Sequence, residues 1–145
     1  MAVRVLLLAV ATVLGCIACG SGSPSPTPIG LVELRVLLAR NGITTLSAVS
    51  GDSACPAQSL QDNALHLTVT TATDPAPRDL FLYLFRQRYF AGTAAAMDAC
   101  VADYAASAGE ARVERIDSTP YRAIGIGWSG ELRRALESAL REAGR

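Results

Sequence analysis

Three patterns in this chain predict an α+β domain, built as an antiparallel sheet of about four or five strands with helices packed mainly on one face. The run ALHLTVTT from Ala64 alternates apolar and polar residues, as a half-buried strand does. Two short strand-like runs flank Ser118-Thr119-Pro120 and predict a hairpin. Leu and Ala recur at three- and four-residue spacing near both ends of the domain and in its middle, which predicts helices there. The order is helix, strands, helix, hairpin, helix.

The first helix is expected over Leu31 to Asn41, with Leu31, Leu34 and Leu38 joined by Val32 and Val36 in a broad apolar face. Glu33 near its start and Arg40 near its end suit the helix dipole, and Gly42 is a natural residue just past the end. Ile43 to Val49 reads as an extended segment with Leu46 inward. Residues 50–63, SGDSACPAQSLQDN, form a polar loop around Cys55. A loop of that length without structure of its own needs something to pin it. In the strand from Ala64, Leu65, Leu67 and Val69 face the core, and His66, Thr68 and Thr70 face outward.

A turn at Asp74-Pro75-Ala76-Pro77 leads to LFLYLF, Leu80 to Phe85, which is apolar on both faces and therefore a central strand. Arg86 and Arg88 then stand beside Tyr89 and Phe90. This cluster suits an anion or a flat ligand through cation–π contact, and it equally suits the wet rim of a core at a strand end. Thr93 is placed to cap a helix from Ala94 to Ala108, with Gly109 ending it. Met97, Cys100, Val101, Tyr104 and Ala108 share one stripe of that helix. In the hairpin, Ala111 to Asp117 and Tyr121 to Trp128, a continuous second strand puts Ile124, Ile126 and Trp128 on one face. Gly125 and Gly127 then lie opposite, under something that packs closely. Ser129 caps the last helix, Gly130 to Ala143, whose buried face is Leu132, Leu136 and Leu140 with Ala135, Ala139 and Ala143, and Glu137 to Arg141 is a helpful pair.

Ahead of the domain, Arg4 supplies the one positive charge of a short leading region, and Val5 to Val13 form a run of apolar residues plus one Thr with the length of a signal-peptide core. The run ends in Val13-Leu14-Gly15-Cys16, which resembles the lipobox of bacterial lipoproteins: an aliphatic residue three before the Cys and a small one just before it. The resemblance implies cleavage after Gly15 and a lipid, palmitate included, on Cys16. Cys19, with Ala18 before it, is the weaker match because Cys16 then occupies the aliphatic position. Taken as a transmembrane anchor, Val5 to Cys19 gives about 22 Å of helix, short of a bilayer core of about 30 Å. The division expected is residues 1–15 signal peptide, 16–28 lipidated N-terminus and Gly/Ser/Pro-rich tether, and 29–145 a single globular domain. An ordinary secretory signal, cut without lipidation, is the other reading of the same segment.

With Cys16 lipidated and Cys19 in the tether, the domain holds Cys55 and Cys100, and a pair in an exported domain is most simply a disulfide. They stand 45 positions apart, and closing such a loop is worth about 4 kcal/mol in the chain-entropy model. The mature part further resembles small envelope lipoproteins with the layout LRVLLARNG, LFLYLF, TAAAMDACVADY, YRAIGIGW and ELRRALESAL, a resemblance of arrangement that implies no activity.

The chain carries 13 basic residues, all Arg, against 13 acidic ones, with no basic run, so nucleic acid is not an expected partner. With His66 the only histidine, neither a metal nor a cofactor is expected. Asp52, Asp62, Asp98 and Asp103 show no pairing in their spacing, no G-x-S-x-G turn is present, and GIGW lacks the spacing and the Lys of a phosphate loop. No catalytic residue is assigned. The expectation is a lipid-anchored extracytoplasmic protein with a binding or structural role, touching the membrane through its lipid and an envelope protein partner. An exported enzyme, or a binder of a small ligand at Arg86, Arg88 and Tyr89, is the alternative.

Overall fold

The computed structural model describes residues 28–109 and 111–145; Cys16 and Cys19 lie outside the described residues. In chain order the elements are α1 (Leu31–Arg40), β1 (Ile43–Ser50), α2 (Gln58–Gln61), β2 (Ala64–Thr71), β3 (Arg78–Leu84), α3 (Gln87–Phe90), a 3-10 turn (Ala91–Thr93), α4 (Ala94–Ala108), β4 (Val113–Ser118), β5 (Tyr121–Ile126) and α5 (Gly130–Ala143). The strands form one antiparallel sheet in the order β1-β2-β3-β5-β4. The α+β prediction holds.

The sheet is buried on both sides at its centre, as the doubly apolar β3 requires. Leu80 and Leu82 join Leu65, Leu67, Tyr121 and Ala123 in a core under α1 and α5. Phe81 and Tyr83 point the other way and join Ile124, Leu60, Met97 and Cys100 in a second core under α4. Two of the three long helices thus share one face, and α4 takes the opposite face as it carries the chain from β3 over β5 to β4. Asn41 and Gly42 stop α1, and the positive φ of Gly42 turns the chain into β1. Ser129 caps α5 through a bond from the Leu132 amide, 3.1 Å.

Several local expectations give way to geometry. In α1 only Leu34 and Leu38 are buried, while Leu31, Val32 and Val36 stay exposed, because α1 sits over the edge strand and has no layer beyond it to receive them. Leu46 is 55 % exposed: a bulge between Thr45 and Ser47 leaves it without a partner on β2. The loop after β1 contains α2, which buries Leu60. Thr93 does not cap α4, because the chain arrives there already helical and the hydroxyl donates to the Phe90 carbonyl instead, 2.8 Å. Trp128 parts from Ile124: the positive φ of Gly127 ends the strand and folds the indole onto Gly125, where its N–H donates to the Asp79 carbonyl, 3.0 Å. In α5, Glu137 pairs with Arg133, 3.1 Å, rather than with Arg141.

Candidate functional site

Where β3 ends, the chain makes the tight turn of α3, and an open cleft of about 660 Å³ forms beside it. Arg86, Arg88 and Tyr89 line it together with Ser59, Asn63 and Pro28. Leu84 and Phe85 contribute apolar surface. The structure therefore brings together all three residues that the sequence singles out for ligand binding. The Arg88 guanidinium lies over the Tyr89 ring, 4.6 Å from its centroid.

The turn is held from below by a residue that sequence reading passed over. Arg122 on β5 is 3 % exposed. It donates to the Phe90 carbonyl at 2.9 Å, stacks on the Phe90 ring at 3.9 Å and pairs with Asp117 at 2.9 Å. Its alternation on β5 places it on the α4 face, but only the three-dimensional path of α3 shows what it supports. On the same side, the β3 end is tied down by bonds from Leu84 to the Asn63 carbonyl and from Phe85 to the Pro120 carbonyl, both 2.9 Å. The incoming chain is tied as well: the Ile29 amide donates to the buried Tyr121 hydroxyl, 2.8 Å.

A second constellation centres on His66. Its Nδ1 lies 2.7 Å from an Asp52 oxygen and its Nε2 lies 2.9 Å from an Asp79 oxygen. The ring stacks on Phe81 with centroids 4.2 Å apart, and Phe81 meets Tyr104 edge-on. Burial, the largest influence on the ring, favours its neutral form, but the hydrogen bonds and charges of Asp79 and Asp52 together raise its pKa above the ordinary 6.5. Both nitrogens face carboxylates, which accept but do not donate, so the ring satisfies both contacts when it is protonated, the form in which it lacks the free lone pair of a general base. The nearby Ser53 hydroxyl is bonded to the Tyr83 hydroxyl, 3.1 Å. Burial first, and the negative charge of Asp52 in addition, push the Tyr83 phenol up from its ordinary value.

Cys55 and Cys100 lie at disulfide distance, with Cα atoms 5.4 Å apart. Together with the Asp52–His66 and Ser53–Tyr83 contacts they fasten the loop after β1 to the α4 face. The other carboxylates weighed from sequence fall elsewhere: Asp98 pairs with Arg115 at 2.6 Å, Asp62 accepts from Gln58 at 2.6 Å, and Asp103 is exposed on α4. Among the described residues no group of three or more His, Cys, Asp and Glu has a metal-binding arrangement, and no helix is long and apolar enough to cross a membrane. No protein-family model matches the chain, and no curated protein or solved structure is significantly similar to it.

Proposed function

We propose that the chain is an exported lipoprotein, trimmed ahead of Cys16, held to a membrane by lipid on that thiol, and serving a binding role outside the cytoplasm. One observation carries the reading: the two cysteines of the domain meet across 45 positions of sequence at disulfide distance. Such a pair persists as a bond in an oxidising compartment and is rare in a reducing cytoplasm. The lipobox-like Val13-Leu14-Gly15-Cys16 supports the same compartment independently. Binding is favoured over catalysis because the one histidine is spent on two carboxylates, whereas the cleft at Arg86, Arg88 and Tyr89 is open to solvent.

Intact mass of the membrane-extracted protein tests this, for wild type and Cys16→Ala, with and without reductant and alkylation. The expected species begins at Cys16, carries acyl mass, and gains two alkyl groups on Cys55 and Cys100 only after reduction. A full-length chain without acyl mass and with freely alkylated thiols would overturn the reading.

A further inference from the structure

We propose that the cleft at the end of β3 binds a phosphate monoester that carries an apolar part. The inference deepens the binding role proposed above by naming the site and its ligand class.

Charge is the first argument. Arg40, Arg78, Arg112, Arg115, Arg122 and Arg133 each pair with a carboxylate. Arg86 and Arg88, like Arg35, Arg134, Arg141 and Arg145, form no ion pair among the described residues; what sets these two apart is that they line one cleft, which no Asp or Glu lines. Two like charges that line one cleft with no carboxylate beside them favour a bound anion. A phosphate monoester, with a charge of about −1.5 to −2 at neutral pH, answers two guanidinium groups better than a single carboxylate, and its oxygens suit their fork of donors.

Shape is the second argument. The cleft volume of about 660 Å³ lies in the range of sites that enclose a small organic molecule. Its Leu84 and Phe85 surface offers contact to an apolar group, and Ser59 and Asn63 supply neutral polar groups to the same cleft. Rigidity is the third. Arg122 braces the turn at Phe90 and Arg88 stacks on Tyr89, so the backbone that carries the two arginines is held in place before a ligand arrives. A headgroup phosphate of a membrane and a dissolved phosphate ester share this chemistry.

Calorimetric titration of the full chain, extracted in a maltoside detergent, tests the proposal with three probes: dihexanoyl phosphatidic acid, phenyl phosphate and inorganic phosphate. At least one ester is expected to bind saturably and about tenfold or more tighter than inorganic phosphate. R86Q/R88Q is expected to weaken that binding by about tenfold or more. R35Q, which removes a charge from α1, is expected to leave it unchanged. R88Q alone gives the same comparison if the double variant does not fold. A preference for the lipid ester identifies the membrane as the source, and a preference for phenyl phosphate identifies a dissolved ligand. Absence of saturable binding, equal binding of inorganic phosphate, or binding indifferent to Arg86 and Arg88 overturns the proposal. Arginine-dependent binding by a chain without acyl mass removes the anchor and keeps the cleft; acyl mass without such binding does the reverse.

Discussion

At His66 the proton is held by its neighbours against the pull of burial, and the sign of the consequence is fixed. The folded pKa lies above the unfolded value near 6.5, so the stabilisation is complete below that value and is lost as pH rises through the raised folded pKa. Urea midpoints of the wild type are therefore expected to fall across that window, and those of His66→Gln to stay flatter. At pH 6 the substitution should cost about 1 kcal/mol, a small figure because both carboxylates are half exposed to screening solvent. Gly125 is a different kind of residue. A Cβ there would overlap the Trp128 indole and the Asp79 carbonyl, so Gly125→Ala should destabilise by about 2–3 kcal/mol in urea unfolding. The need for a close approach at Gly125 is readable from Gly-x-Gly in a strand, but the identity of its neighbour is not, because that depends on the turn at Gly127. The carboxylates at His66 were half readable. Asp79 is a diagonal neighbour once His66 is set opposite Phe81, whereas Asp52 arrives through a loop whose path no periodicity encodes.

Among the elements, α4 and the loop after β1 depend on one another through Cys55 and Cys100. Replacing both by Ala should lower stability by about 2–4 kcal/mol, and reductant should then no longer shift the urea midpoint. If reductant moves wild type and variant equally, the cysteines are not bonded. The elements most legible in sequence were those whose pattern is set by the layer they touch: β3 between two cores, α5 on one, and the hairpin at Ser118–Pro120. Less legible were elements shaped by their ends. The single turn of α3 has two polar and two aromatic residues and is too short to show a helical period; it is braced by the Arg122 bond to Phe90, while Leu84 and Phe85 just ahead of it are tied to Asn63 and Pro120. The bulge at Leu46 likewise answers to the register of β1 on β2, which one strand alone cannot reveal.

For the molecule as a whole, helices on both faces of a five-stranded sheet leave two edges of unlike character. The β4 edge carries Glu114, Arg115 and Asp117, each in an ion pair, while β1 is uncharged and guarded chiefly by its bulge. Exposed Leu31, Val32, Val36, Leu46 and Val49 gather on the β1 side, and the cationic cleft sits at the end of β3. The bond between Ile29 and Tyr121 adds a mechanical property. A pull on the N-terminal segment meets the Ile29 amide, anchored on the interior strand β5, before it meets α1. Tension is thereby met first by one hydrogen bond to an interior strand, and only once that bond parts does the load pass to α1 and the sparsely guarded β1 edge.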